Sequence, residues 1–156
     1  MEAALSTAAC LEPTHEAGRA FVMRGIVGPV VMLNLLRFRA VADYSAHPQL
    51  APRRAISGAQ AFQRYIDHTL PCLHVSGGRM TFYGEGGPWL IGPAGERWDA
   101  AMLVEQRSVA SFLSFASNGD YLKGLGHRSA ALEDSRLLPL RDVGDWAAGD
   151  DLSIIC

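Results

Sequence analysis

The chain has 156 residues, of which 49% are hydrophobic and 19% charged, and this is the composition of one globular domain with a sizeable core. The formal net charge is −2 and no block of Lys or Arg occurs, so neither a nucleic-acid nor a membrane partner is expected. Three widely spaced cysteines without a CxxC pair, no basic start and no apolar run of about 18 residues favour a cytoplasmic protein with reduced thiols.

The chain begins with a segment, residues 1–12, that we expect to be flexible. A short helix is predicted after Pro13-Thr14, before the sheet. The run from Val30 to Phe38 is apolar and bounded by a turn signal, which is typical of a central strand with both faces covered. Residues 39–56 are rich in Pro, Ala and Arg and are predicted to form a loop.

A second helix is predicted from the N-cap Ser57, because apolar residues then recur at spacings of three and four. Pro71 lies inside this pattern, so the helix is expected to kink or end near residues 68–70. His68 falls opposite the stripe and is expected to be exposed. The residues of the stripe are Ala59, Phe62, Ile66, Leu70 and Leu73.

Two further strands are predicted at residues 79–85 and 99–105, with a short extra strand or flap at Trp89-Leu90-Ile91 between them. Ser108 caps the next helix, and two short helical pieces are expected within residues 121–134. The last predicted strand is residues 136–140, where Pro139 indicates an edge position. Residues 141–156 are expected to form a tail, or an arm that lies on a neighbouring subunit.

The predicted order of elements is strand, helix, strand, strand, helix, strand. This is the ferredoxin-like βαββαβ arrangement of the α+β class, an antiparallel four-stranded sheet with helices on one face, assigned to residues 13–140. No element is left to cover the other face. We therefore expect a homodimer in which a second sheet covers it.

Several short motifs follow one another through residues 13–140. They are the strand from Gly28-Pro29 to Arg37-Phe38, then Ser57-Gly58, Tyr65, Gly77-Gly78-Arg79, Leu90-Ile91-Gly92, Trp98-Asp99, His127-Arg128 and Ala130 to Leu137. In this order they make the chain similar to the bacterial DUF1330 family. The resemblance implies the dimeric α+β barrel superfamily, which includes cofactor-free cyclases, quinone-forming monooxygenases, isomerases and some haem enzymes.

Four residues are candidates for catalysis. Asn34 is an amide in an apolar strand, where it either bonds a backbone group or orients a carbonyl or hydroxyl of a ligand. His127 titrates near neutrality and is either a general base or a packing residue. His74, beyond Pro71, is a further candidate base, and Tyr65 is either a core aromatic or a proton donor.

Arg128 leads the candidates for substrate binding, because its five-donor fork suits a carboxylate. The alternative is that it pairs with an acid of its own chain. Glu133 and Asp134 are expected at the end of a helix, where negative charge needs a partner such as Arg128 or Arg136.

Tyr83, Trp98 and Glu105 are the other candidates for substrate binding. Tyr83 either belongs to the core or lines a pocket. Trp98 and Asp99 are expected on opposite faces of their strand, with Glu105 on the face of Asp99. A carboxylate on a covered face has a raised pKa and suits a general base, whereas one at a wet strand end does not.

No cofactor is expected. The five histidines form no HxH or HExxH motif, no glycine-rich loop stands between a strand and a helix, and no GxSxG elbow occurs. Our first hypothesis is a cofactor-independent cyclase, isomerase or lyase that moves a proton on an aromatic or carbonyl-bearing metabolite of biosynthesis. The alternatives are a non-catalytic dimeric binding or stress-related protein and a cofactor-free monooxygenase.

Overall fold

A computed structural model of the chain describes residues 8–143. Four strands and four α-helices, with one short 3-10 helix, make up this part of the chain. In chain order they are α1 His15–Met23, β1 Val30–Phe38, the 3-10 helix Pro48–Leu50, α2 Gly58–Val75, β2 Arg79–Pro88, β3 Arg97–Gln106, α3 Val109–Ala116, α4 Gly119–Ala131 and β4 Leu132–Arg141.

The four strands form one antiparallel sheet in the order β2-β3-β1-β4. Strand β1 lies inside the sheet, with Asn34 opposite Met102 of β3 and Leu137 of β4. Pro139 lies in the edge strand β4, as predicted. This strand order, with helices between β1 and β2 and between β3 and β4, confirms the ferredoxin-like fold.

The side chains of β1 alternate in burial along the strand. Val30, Met32 and Leu36 are buried, whereas Val31, Leu33 and Leu35 are only partly buried. Successive side chains of a strand point to opposite faces of the sheet. The face of Val30 and Met32 is called here the helix face, and the face of Leu33 and Leu35 the open face.

The core lies between the helix face and the helices. Its main cluster joins Leu36 of β1 to Phe62 of α2 and Ala130 of α4. A second cluster joins Val30 and Met32 to Phe21 of α1 and Phe112 of α3, whose rings meet edge to face at 5.8 Å between centroids. Neither cluster includes Val31, Leu33 or Leu35. Within residues 8–143 of one chain, therefore, only one of the two apolar faces of the sheet is packed.

Helix α2 begins where the sequence predicts, with a capping box in which the side chains of Ser57 and Gln60 bond each other's backbone N–H. It then continues through Pro71 to Val75, so the expected end near residues 68–70 is wrong. Proline removes one helical hydrogen bond. Leu73, in the turn that contains Pro71, is buried against the core, and this burial offsets part of that cost.

The predicted pair of short helical pieces is a single helix, α4, followed at once by β4. Its internal glycines stay helical because neighbouring elements approach them closely. A Cβ at Gly124 would meet the ring of His68, and one at Gly126 would lie 2.6 Å from His47 Cγ and 2.7 Å from Leu50 Cδ1. Gly124 and Gly126 are therefore the points where α4 closely approaches α2 and the segment before α2.

The N-terminal segment is held to the domain as far as the structure describes it. Cys10 N–H donates to Asp134 Oδ1 at 2.8 Å, and Arg128 Nη1 donates to the carbonyl of Leu11 at 2.6 Å. These two residues belong to the segment expected to be flexible. Residues 1–7, the rest of the segment predicted to be flexible, and residues 144–156 of the predicted tail lie outside the described residues. None of the helices described has the length and apolarity that a membrane span requires.

Gly58 opens α2 at a point of close backbone contact, and replacing it tests how tightly α2 is packed there. A Cβ at this position would meet the carbonyl oxygens of Arg39 and Ala131. We expect Gly58→Ala to lower the free energy of unfolding by about 1 to 3 kcal/mol, because backbone on both sides must move. Urea unfolding followed by circular dichroism measures this change.

The matched control is Gly18→Ala in α1, where no atom lies within 4 Å of the new Cβ. Alanine is the better helix former, so this variant is expected to be neutral or to gain up to about 1 kcal/mol. Equal stabilities of the two variants would contradict the close packing of α2.

Candidate functional site

A cleft of ≈ 560 Å³ opens between the first turns of α2 and the adjoining ends of β2 and β3. A cleft of this size suits a small organic molecule. The residues that line it are Phe38, Ala59, Gln63, Tyr83, Gly84, Glu85, Gly86, Asp99 and Ala100.

The apolar part of the cleft comes from several elements. Phe38 ends β1, Ala59 lies in the first turn of α2, and Ala100 belongs to β3. Tyr83 joins them from β2, with its ring 6.3 Å from that of Phe62 in the core. Burial, and secondarily the negative charge of Glu85, raise the pKa of Tyr83. Tyr83 is therefore a neutral phenol at neutral pH and a hydrogen-bond donor.

Two carboxylates line the same cleft but differ in their partners. Asp99 Oδ2 accepts from the N–H of Phe38 at 2.7 Å, and Asp99 Oδ1 pairs with Arg97 Nε at 3.2 Å. Glu85 forms neither a hydrogen bond nor an ion pair within residues 8–143, and its side chain is exposed. Asp99 therefore supports the end of β1, while Glu85 is available to a ligand.

Gly84 and Gly86 contribute no side chain to this stretch of β2. A Cβ at Gly86 would meet the carbonyl of Trp98 on β3, and one at Gly84 would lie 2.7 Å from the ring of Phe82. Tyr83 and Glu85 alternate with these glycines and share one face of the strand. The glycines therefore bring β2 close to β3 while the side chains on the other face stay in the cleft.

Of the eight residues predicted for the site, Tyr83 alone is among those that line the cleft. Asn34 is buried on the helix face of β1, and its Nδ2 donates to the carbonyl of Met32 at 3.2 Å. This is one of the two roles that the sequence left open for Asn34, a local bond to the backbone.

Tyr65 is buried in α2, and its hydroxyl lies 3.0 Å from that of Tyr121 in α4. The ring of Phe115 covers Tyr121 at 4.4 Å between centroids. Burial, together with the adjacent Tyr65, raises the pKa of Tyr121 far above its ordinary value. The Tyr121 hydroxyl therefore stays protonated, and its contact with Tyr65 joins α2 to α4.

His127 and Tyr44 form a second pair, with His127 Nδ1 and the Tyr44 hydroxyl 2.8 Å apart. Their rings meet edge to face at 5.6 Å between centroids. Burial lowers the pKa of His127, and the positive charges of Arg64 and His68 lower it further. His127 is therefore neutral at pH 7, and its bond attaches the loop after β1 to α4.

Arg128 also bonds within its own chain. Besides Leu11, it reaches the hydroxyl of Ser135 through Nη2 at 3.3 Å. Neither acid pairs with Arg128: Asp134 lies 2.8 Å from Arg136, which is one of its two predicted partners, and Glu133 lies 3.7 Å from Arg97. Both acids belong to β4 and not to the end of a helix, so that part of the prediction is wrong.

The remaining predicted residues lie apart from one another. Trp98 is buried, with its ring 4.7 Å from the guanidinium carbon of Arg37 and 5.1 Å from that of Arg136. Glu105 pairs with Arg79 at 3.3 Å. His74 is exposed.

His68 is less exposed than the sequence predicts. It is half-buried, and its Nε2 lies 2.6 Å from the carbonyl of Asp120 in α4. This contact joins the face of α2 opposite the apolar stripe to α4.

The sequence contains one pattern that indicates the cleft and that the predictions above do not include. Tyr83 and Glu85 stand at alternate positions between glycines, which places both side chains on one face of β2. Gln63 and Ala59 carry no such signal, because their contribution depends on how α2 lies over the sheet. Among residues 8–143, His, Cys, Asp and Glu form no group of three that could hold a metal ion.

The His127–Tyr44 pair predicts a pH dependence of stability. The pKa of His127 in the folded chain lies below its ordinary value of 6.5, so the unfolded chain binds the proton more readily. Stability that is fully present above pH 6.5 is therefore lost as the pH falls below that value. We expect His127→Asn to flatten the decrease in the free energy of unfolding between pH 7.5 and pH 5.5, measured by urea unfolding at each pH.

The control for this measurement is His15→Asn, since His15 is exposed in α1. It should keep the pH dependence of the unchanged protein. A His127→Asn variant with the same slope as the unchanged protein would show that His127 does not titrate abnormally.

No family model and no curated protein matches the chain. Among solved structures, the methylated RPA0582 protein is 34% identical, with a TM-score of 0.75 over 86% of this chain and 96% of that protein. A second crystal structure of RPA0582, described as a protein of unknown function from Rhodopseudomonas palustris, aligns at 33% identity and a TM-score of 0.75, covering 87% and 98% of the two chains.

A dimeric protein of unknown function with a ferredoxin-like fold from Bacteroides fragilis is far more distant. It aligns at 10% identity and a TM-score of 0.46, over 75% of this chain and 99% of its own. That likeness supports no inference about function. Membership of DUF1330 stays a prediction. At 34% identity over almost all of RPA0582, the chain belongs to the same family as this protein of Rhodopseudomonas palustris.

Proposed function

We propose that this protein binds a small aromatic or carbonyl-bearing metabolite in the cleft beside α2 and moves a proton on it without a cofactor. The observation that carries the proposal is the lining of the cleft. It combines a neutral phenol, Tyr83, with the carboxylate of Glu85, which no residue of the described part of the chain pairs with, above an apolar floor that includes Phe38. A few polar groups converging on an apolar cleft are typical of small-molecule sites.

In the proposed chemistry Glu85 is the general base and the Tyr83 hydroxyl is the hydrogen-bond donor. The carboxylate of Glu85 takes a proton from carbon beside a carbonyl of the substrate, and the Tyr83 hydroxyl donates a hydrogen bond to the oxygen where negative charge develops. Residues i and i+2 of a strand stand about 6.6 Å apart, a spacing that admits one planar group between them. Return of the proton from Glu85 to a different carbon gives an isomerisation. In a cyclisation the enolate carbon attacks a second carbonyl of the same substrate, the π bond of that carbonyl breaks, and the resulting alkoxide takes back the proton from Glu85.

Filling the cleft tests this proposal without altering the polar groups. Ala59 lines the cleft from an exposed position in α2, so Ala59→Trp should fill the cleft without loss of stability. We expect it to weaken binding of aromatic ketones and phenols at least about tenfold, because the ring occupies the ligand's place. Thermal shift and isothermal titration against a panel of such compounds measure the loss.

Two comparisons sharpen the result. Ala17→Trp, at an exposed position in α1, is the matched control and should bind as the unchanged protein does. Glu85→Gln should keep binding but abolish deuterium exchange into a bound ketone, which NMR follows. Equal binding by the Ala59→Trp and Ala17→Trp variants would contradict the site, and exchange that survives in Glu85→Gln would contradict the chemistry.

The open face supports the second part of the proposal, a homodimer formed sheet to sheet. Its apolar residues include Phe82, which is 57% exposed, and Leu138, which is 52% exposed, beside the partly buried Leu33. Monomeric proteins rarely expose contiguous apolar surface of this kind. A second copy offers the same surface in return, as the two-fold symmetry of most dimers requires.

The dimer is tested by placing charge on the open face. We expect Phe82→Asp combined with Leu138→Asp to give a monomer at micromolar concentration, because neither carboxylate can be paired between two apolar sheets. Sedimentation velocity measures the change. The control places the same charge on the helices, as Val22→Asp and Leu122→Asp, at side chains that are each 48% exposed. A monomeric unchanged protein would overturn this part of the proposal.

One observation favours a non-catalytic binding protein as the second candidate. Asn34, Tyr65, His127 and Arg128 each make a bond within the chain that explains their place in the fold. A binding protein needs no more than the cleft. Exchange of deuterium into a bound ketone separates the two candidates, because binding alone does not catalyse it.

A further inference from the structure

Residues 8–12, the first that the structure describes, form an N-terminal strap that the domain binds mainly through the backbone of the strap. Asp134 Oδ1 accepts from the N–H of Cys10 at 2.8 Å. Arg128 Nη1 donates to the carbonyl of Leu11 at 2.6 Å, and the Leu11 side chain packs against the main core cluster. The strap is therefore docked on α4 and β4, and none of its residues lines the cleft.

The carboxylate that accepts from the strap also pairs with two arginines of the sheet. Asp134 Oδ1 lies 2.8 Å from Arg136 Nη1, and Asp134 Oδ2 lies 3.8 Å from Arg37 Nη1. The side chains of Asp134 and Arg37 are only 13% and 20% exposed, so water and salt screen their attraction less than that of a surface pair. Arg37 in turn donates through Nε and Nη2 to the carbonyl of Arg97, at 3.1 and 3.0 Å. Contacts therefore run from the strap to the first residue of β3.

These contacts end at two residues that line the cleft. The regular pairing of β1 with β3 stops at Leu36, and the pairing of β1 with β4 shifts its register after Arg37. Beyond these points the N–H of Phe38 donates to Asp99 Oδ2 at 2.7 Å. Asp99 Oδ1 pairs with Arg97 at 3.2 Å. Between β1 and β3, side chains and not a regular ladder therefore fix the position of Phe38, and the strap is connected to these side chains.

We propose that docking of the N-terminal strap regulates ligand binding in the cleft. The docked strap holds Asp134 against Arg37, and through the start of β3 this pair positions the cleft residues Phe38 and Asp99. The inference rests on the proposed function, because it concerns the same cleft. A strap with few contacts opens at a lower free energy than the core strands, which supplies the two states that coupling between separate sites requires. Ligand and strap then strengthen each other's binding by the same factor.

The experiment measures hydrogen exchange and ligand binding in full-length variants. Cys10→Pro removes the N–H that Asp134 accepts, whereas Cys10→Ser keeps it and is the matched control. Cys10→Pro should speed exchange of the Phe38 amide at least about tenfold, because the end of β1 then opens more often. It should also weaken binding of the aromatic ketones at least about fivefold. Cys10→Ser should leave both quantities unchanged.

Two internal controls separate this coupling from a general loss of stability. The amides of residues 31–35 belong to the same strand, where it pairs regularly with β3 and β4, and should exchange equally fast in both variants. If they accelerate as much as the Phe38 amide, the inference is wrong. In an Asp134→Asn background, Cys10→Pro should have no further effect on the Phe38 amide. Additive effects of the two changes would overturn the inference, because the strap would then act by another route.

A further measurement needs no mutation. In the unchanged protein a bound ketone should slow exchange of the Cys10 amide at least about fivefold, because coupling is reciprocal. A Cys10 amide that does not respond to the ligand, or a Phe38 amide that exchanges equally in the two variants, overturns the inference and leaves the cleft as a binding site. A protein that binds no ketone of the panel overturns the proposed function instead, and the Phe38 amide still decides whether the strap positions the end of β1.

Discussion

The sheet has two apolar faces, and the helices cover one of them. Strand β1 shows this constraint most clearly, because Val30 and Met32 pack under the helices while Leu33 and Leu35 point the other way. Burying apolar area is the dominant favourable contribution to folding and to association. The same constraint that stabilises the single chain on its helix face is the basis of the proposed homodimer, in which a second copy covers the open face.

The cleft exists because that helical cover is incomplete at one edge. Helix α2 packs into the core through Phe62 and Ile66, whereas the residue of its first turn that lines the cleft is the small Ala59. The glycines of β2 add no bulk there. Small residues on both sides thus leave a space, and the polar residues that line it are Gln63, Tyr83, Glu85 and Asp99. A larger residue at position 59 would extend the core and remove the site.

Much of the fold could be predicted from the sequence, because it depends on local patterns. The apolar run of β1, the capping box at Ser57 and the proline of the edge strand each act within a few residues. The expectations that were wrong depend on contacts between distant segments. Gly124 remains in α4 because His68 packs against it, and β4 begins at Leu132 because pairing with β1 extends to Phe38. Neither contact is visible in the sequence of one segment.

The candidate site was harder to predict for a related reason. The chemistry of Asn34, His127 and Arg128 predicts a role in catalysis or binding. Buried polar groups in folded proteins, however, are nearly always hydrogen-bonded, whatever their catalytic potential. Each of these three meets that requirement inside the chain, and His127 does so with Tyr44, 83 positions away. Glu85 is exposed and is not subject to that requirement; within residues 8–143 it has no hydrogen bond or ion pair, and it lies beside the raised-pKa phenol of Tyr83. A polar residue without an internal partner, at the edge of an apolar cleft, is therefore the more informative sign of function here than a titratable residue type alone.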